Sequence, residues 1–186
     1  MNELEKRLDN LRLLVQNRDF LEGKGLSNEV NIHIFRYDPE DERIVRAFME
    51  RLGADKTLGT RLIVFNLYEL FLEICEDLDI LDSILEVEKE EGSAYALEQL
   101  HSAISAEDFV QKTREKEEPQ KGDVVVLTGV GDVFPFMRVH KLLEAMQPFF
   151  SHVPILVLYP GYYDGNALKL FNLLQPNSYY RAFNVV

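Results

Sequence analysis

The chain reads as an α/β protein, a single three-layer domain over residues 1–186 built around a mostly parallel five-stranded sheet. Three observations carry that expectation. Strand-like and helix-like segments alternate almost from end to end, the order that βαβ units produce. Two of the strands are continuous apolar runs, as expected where helices cover both faces of a parallel sheet. The stretch between the second and third strands is helical for far longer than one connection needs, so a long helical crossover joins them.

The elements follow in order. Asn2 to Asn17 sets Leu4, Leu8, Leu11 and Val15 on one stripe at spacings of three and four, an amphipathic helix on the flank of the domain. Val30 to Phe35 alternates and is β-branched, a first strand in which His33 faces the polar side. Asp38-Pro39 opens the next helix, with Ile44, Val45, Phe48 and Leu52 inward. Arg61 to Asn66 is the second strand. From Leu67 to Lys116 the pattern is helical, with breaks near Asp77 to Asp79 and at Glu91-Gly92-Ser93, and a new cap at Ser105. This crossover projects as an arm or covers one edge of the sheet. The charged run Arg114 to Lys121 ends it as a linker. Asp123 to Thr128 and Val153 to Tyr159 are the two apolar strands, with a helix from Pro135 to Phe150 between them. Gly165 to Leu174 is spaced as a last helix, and Tyr179 to Val185 as a final strand.

Composition narrows the function. With 186 residues and 46% hydrophobic content, the chain can bury a real core. A net charge of -12 repels a phosphate backbone, so direct nucleic-acid binding is not expected and any link to DNA runs through a partner. Cys75 is the only cysteine, which rules out an intramolecular disulfide and suits a reducing cytoplasm. No segment approaches the roughly 20 apolar residues that span a bilayer. The mixed-charge start, Met1 to Leu8, is unlike a signal peptide. A cytoplasmic protein with no membrane contact is the expectation.

The turn Thr128-Gly-Val-Gly-Asp132 joins an apolar strand to a helix. Gly129 and Gly131 can adopt φ > 0 and turn N–H groups outward, where a helix start favours an anion or a carboxylate. The same residues also suit a tight βα connection and nothing more. Arg138 and His140 lie one turn into the following helix, placed either to reach back to such an anion or to face solvent. The carboxyl ends of parallel strands are where ligands usually bind, and here those loops bring Asp38, Asn66, Glu69, Asp132 and Asp164 to one edge. Converging carboxylates can bind Mg²⁺. Acids at helix starts are also favoured simply as caps, the heavier expectation here. No Gly-x-x-x-x-Gly-Lys-Ser/Thr, Gly-x-Ser-x-Gly or metal-spaced histidine pair occurs, so no catalytic residue, metal site or cofactor is assigned. Tyr159-Pro-Gly-Tyr162-Tyr-Asp164 and Tyr179-Tyr-Arg181-Ala-Phe183 gather tyrosines and an arginine of the kind that interfaces favour. Arg181 either pairs with a carboxylate of a partner or with one inside the chain.

Thr128 to His140, Tyr159 to Gly165 and Tyr179 to Phe183, together with Asn66-Leu-Tyr-Glu69 and the leading helix, resemble the signatures of the BrxB family. These are small subunits of bacteriophage exclusion (BREX) defence systems. The resemblance spans nearly the whole chain. It implies a non-catalytic component of an assembly that modifies host DNA and restricts phage, beside an alkaline-phosphatase-like subunit PglZ, a methyltransferase PglX and a large ATPase BrxC. The family brings no catalytic residues with it. Two functions are therefore carried forward: an adaptor binding through residues such as Thr128, Gly129, Gly131, Asp132, Arg138, His140, Tyr162, Asp164 and Arg181, and a degenerate nucleotide- or phosphate-ester-binding module with a Mg-binding carboxylate edge.

Overall fold

The computed structural model describes residues 2–24, 31–163, 168–174 and 184–185. Helix α1 (Glu3–Leu14) starts on a capping box in which Asn2 and Glu5 satisfy each other's backbone N–H groups. A single turn, α2 (Arg18–Leu21), follows, capped by Asn17. Strand β1 (Ile32–Tyr37) leads through a 3-10 turn into α3 (Glu42–Ala54) and then β2 (Leu62–Asn66). The crossover comprises α4 (Leu67–Asp77), α5 (Leu81–Glu91), α6 (Ser93–Ala103) and α7 (Ala106–Lys116). Then come β3 (Val124–Thr128), the short α8 (Val130–Val133), α9 (Val139–Phe150) and β4 (Ile155–Tyr163). Two short strands, β5 (Leu168–Leu170) and β6 (Asn184–Val185), complete the described elements.

Five strands run parallel in the order β2-β3-β4-β1-β6, and β5 pairs antiparallel with the end of β4. The mostly parallel five-stranded sheet expected from the sequence is present. From β1 the chain jumps to the far edge at β2, then returns through β3 and β4. Right-handed crossovers that run in opposite directions must cover opposite faces. Accordingly α1, α2 and α3 pack on one face, against Phe35, Tyr37, Val124, Val126, Leu156 and Leu158. Helices α4, α6, α7, α8 and α9 cover the other, against Ile34, Phe65, Val125, Leu127, Ile155 and Val157. The split of β3 and β4 between two cores is why their sequences are apolar without a break.

Several expectations change in detail. Ile44 is exposed, and α3 instead turns Val45, Met49 and Leu52 inward. Between β3 and β4 the helix starts at Val139, because residues after α8 form a turn around Pro135. The helical spacing over 165–174 fails where it is described: Leu168–Leu170 is a strand, and Phe171 and Asn172 take φ of 54° and 62°, outside any α-helix. Two apolar residues flanking a lysine fit either period, and pairing with β4 decides between them. The arm expectation holds in part. α4 and α7 lie on the sheet, tied by Lys112 to Asp77 at 2.6 Å and by Lys116 to Glu73, while α5 buries no residue and packs chiefly on α6. No helix among the described residues is long and apolar enough to cross a membrane.

His33 corrects its expectation too. It is only 8% exposed, stacks on Phe20 at 4.6 Å between centroids, and takes a hydrogen bond with Asn31 at 2.9 Å through Nε2. Its Nδ1 has no partner among the described residues. Both faces of β1 are covered because it lies inside the sheet, so alternation cannot place a polar residue in solvent. Burial lowers its pKa to about 4. The unfolded imidazole takes its proton near pH 6.5, so between those values the unfolded state holds more protons and stability falls as pH drops. Denaturant unfolding at pH 7 and about pH 5 should show that loss, up to roughly 3 kcal/mol when the window is fully crossed. His33→Phe, which keeps the stacking, should flatten the slope in that window. An unchanged slope would place the acid sensitivity elsewhere.

Candidate functional site

The carboxyl edge of the sheet is assembled from loop residues that fit into one another. Asn66 ends β2 and caps α4, its Oδ1 accepting from the N–H groups of Tyr68 at 3.0 Å and Glu69 at 3.4 Å. Gly129 starts α8 with φ of 71°, and a Cβ there would stand 2.5 Å from that same Oδ1. Both the backbone and the space therefore require glycine. Thr128 Oγ1 reaches Phe65 O at 3.5 Å, and Val130 and Val133 are buried beneath the turn. At Gly131 a Cβ would come within 2.7 Å of the Phe171 ring and 3.3 Å of Pro160. Phe171 is fixed there by its own N–H, which donates to Pro160 O at 2.9 Å. Gly161 permits the approach of β5, since a Cβ would meet Lys169 O at 2.2 Å. The space before Gly129, Gly131 and Gly161 is thus filled by neighbouring side chains and backbone.

The charged residues along the edge are likewise engaged. The Tyr37 hydroxyl donates to Glu42 at 2.7 Å, and Arg46 donates to Glu42 at 2.9 Å and to Asp132 at 2.8 Å. Burial, helped by the Glu42 carboxylate, pushes the Tyr37 phenol well above its usual range. Asp38 caps the turn before α3, accepting from Glu40 N–H at 3.1 Å. Among the described residues no three His, Cys, Asp or Glu side chains come together to hold a metal ion. An open cavity of about 460 Å³ lies between α3 and the β2–β3 pair, with Arg46, Glu69 and Val64 in its walls. Val64 is 44% exposed, because the helices on this face cover the edge strand only in part.

The structure brings Thr128, Gly129, Gly131 and Asp132 together and separates Arg138 and His140 from them in role. Arg138 caps the start of α9, is exposed, and holds its guanidinium 5.6 Å over the Phe134 ring. His140 is buried, and burial lowers its pKa. Tyr162 is 51% exposed, with the Arg36 guanidinium 5.8 Å from its ring centre. Asp164 and Arg181, with Tyr179 and Tyr180, lie outside the described residues. Phe171 and Arg46 are partners that sequence reasoning did not find. Arg46 and Asp132 are 86 positions apart, so spacing offers no signal for the pair. Phe136 is a third, stacking on Phe71 at 4.5 Å with Tyr68 alongside at 6.2 Å from Phe71.

The fit between Gly129 and Asn66 makes a coupling that can be measured. Gly129→Ala should cost about 2 to 3 kcal/mol, from the left-handed backbone and from displacement of the α4 cap. Asn66→Ala alone should cost about 1 kcal/mol as a lost cap. The double variant should cost clearly less than the sum, because the alanine at 129 then meets no amide. Additive losses in denaturant unfolding would show that the close approach carries no energy.

Comparison with known proteins agrees with the resemblance noted from the motifs. The family model described as BREX protein BrxB matches residues 63–185, from the second strand through the carboxyl-edge motifs. The chain is 37% identical to the BREX protein BrxB of Bacillus cereus (strain H3081.97), covering 100% of this chain and 99% of that one. It is 26% identical to the BREX protein BrxB of Escherichia coli O9:H4 (strain HS), over 98% of this chain and 92% of the relative. No solved structure matches significantly. Matched by the family model over residues 63–185 and by a relative along its whole length, the chain belongs to the BrxB family of BREX defence proteins.

Proposed function

We propose that the chain is a non-catalytic adaptor of a BREX assembly that joins other BREX proteins, with PglZ and BrxC as direct neighbours and PglX a further one. The observation that carries this reading is the carboxyl edge. Where an α/β enzyme keeps loops free for a ligand, here Gly129 is filled by Asn66, Gly131 by Phe171 and Pro160, and Asp132 is held by Arg46. Chemistry has little left to use there, whereas exposed Tyr162 and Arg138 suit contact with protein. The net charge of -12 also directs the protein toward partners and away from DNA.

Purified protein mixed with PglZ, and separately with BrxC, should co-elute with at least one of them in size-exclusion chromatography. Co-elution with neither overturns the adaptor reading. The competing reading, a degenerate nucleotide or phosphate-ester module with Mg²⁺, predicts a different result. A ligand at 100 times its dissociation constant stabilises by about 2.7 kcal/mol. A thermal-shift screen with Mg²⁺ and nucleotides should therefore stay flat, and a saturable rise in Tm would restore that module.

A further inference from the structure

The negative charge of this protein is not spread over its surface. Residues 67–103 hold eleven Asp and Glu against one basic residue, Lys89, and so account for -10 of the -12. Of these acids only Glu73 and Asp77 are held by salt bridges among the described residues, to Lys112 and Lys116. Asp82, Glu86, Glu88 and Glu90 line up along α5, all exposed. Like charges along one short helix repel each other and destabilise it.

The same segment contains an apolar cleft of about 430 Å³ between α4 and the α5–α6 hairpin. Tyr68, Phe71 and Leu72 line it from α4, and Leu81, Ile84 and Leu85 from α5. Each set repeats at helical spacings of three and four, so two apolar stripes face a shared groove. Phe136 closes one end in its stack with Phe71. Leu85 is 50% exposed and Tyr68 also reaches solvent, although apolar neighbours lie beside both. No residue of α5 is fully buried, and Leu81 and Ile84 are only half-buried against the core.

We propose that this cleft is a docking groove for an amphipathic helix of a partner protein, with an apolar stripe flanked by lysine or arginine. The inference rests on the adaptor reading and supplies the surface and the partner chemistry for it. Charge complementarity selects the occupant. A second copy would bring the same acidic arm, and nucleic acid or an anionic membrane would be repelled. A basic helix gains twice: its apolar residues complete the packing of α4, α5 and α6, and its cations relieve the repulsion along α5. The unpaired acids on the rim accelerate encounter, and the aromatic end around Tyr68 anchors the bound helix.

The test uses the full chain and a fluorescently labelled peptide of about 18 residues, roughly five helical turns, with leucines on one stripe and lysines elsewhere. A matched peptide carries glutamate in place of lysine. Two variants are compared: Leu85→Asp, and the triple Asp82→Lys, Glu86→Lys, Glu90→Lys. Binding of the lysine peptide should be saturable and weaken with added salt, and the glutamate peptide should not bind. Both variants should lose at least tenfold in affinity. Leu85→Asp is decisive, because it adds negative charge: attraction to an acidic surface alone would leave its binding equal or tighter, and that result overturns the groove. The same variants are then run with whichever of PglZ or BrxC co-elutes with the wild-type chain. Loss of the complex in both variants supports the groove, while an unaltered complex overturns it and leaves the adaptor reading standing. If the wild-type chain co-elutes with neither protein, the adaptor reading falls, and the peptide measurement alone decides the groove.

Discussion

Complete burial of the central runs of β3 and β4 is the constraint on which the rest of the structure depends. Val124 to Leu127 and Ile155 to Leu158 are shielded from water on both faces, and such strands can exist only with a helical layer on each side. One crossover must therefore run against the others, and β1 supplies it by sending α3 to the opposite face. The cost falls at the rim. The helices on that face cover β2 only in part, packing on Leu62 and leaving Val64 open beside a groove. The other face has the opposite problem, with four helices in the crossover and room for fewer, and α5 is displaced outward onto α6.

The carboxyl edge shows how a fold that often serves ligands can be closed by its own chain. β4 runs beyond the parallel sheet and turns antiparallel to β5, which lays Phe171 across Gly131. A glycine turn presents N–H groups outward only if the space in front of it is free. Here that space is occupied, and α8 is a single turn whose valines point into the core. Asp38 and Asn66 act as caps, each satisfying backbone N–H groups that no helical carbonyl can reach. Among the described carboxylates, Asp38 thus serves its own turn and Asp132 pairs with Arg46.

The sequence conveyed periodicity well and proximity poorly. The apolar runs at 123–128 and 153–159 announced a covered parallel sheet, and the breaks at Asp77 to Asp79 and at Gly92 fell where α4 and α5 end. Capping at Ser105 appeared as a full box with Asp108. What pattern could not show was set by distant neighbours. His33 alternates with isoleucines and looks solvent-facing, yet β1 is an interior strand with helices on both sides. Leu168 to Leu170 fits two periods, and only β4 selects the strand. Gly131 looked like an anion turn because nothing nearby in sequence signals that Phe171 will fill it. Local readings fail where the deciding contact comes from a distant part of the chain, as Asn66 does at Gly129, Phe171 at Gly131 and Arg46 at Asp132.

The distribution of charge gives the crossover a physical character distinct from the layers it covers. Outside residues 67–103 the chain is close to neutral, and several of its ion pairs tie one element to another: Arg12 to Asp55, Arg46 to Asp132, and Arg61 to Glu117. Inside that segment acids crowd a helix that buries no residue fully and reaches the core only through half-buried Leu81 and Ile84. Such an arrangement lowers local stability, since repulsion is added and little apolar burial offsets it. A helix under those conditions holds its place mainly through α6, whose Ala96 and Leu100 are buried. Exposed apolar residues beside unbalanced charge are expensive for an isolated protein, and both expenses disappear when an apolar, cationic surface covers them. The segment least justified by the stability of the chain on its own is thus the segment whose features make sense in an assembly.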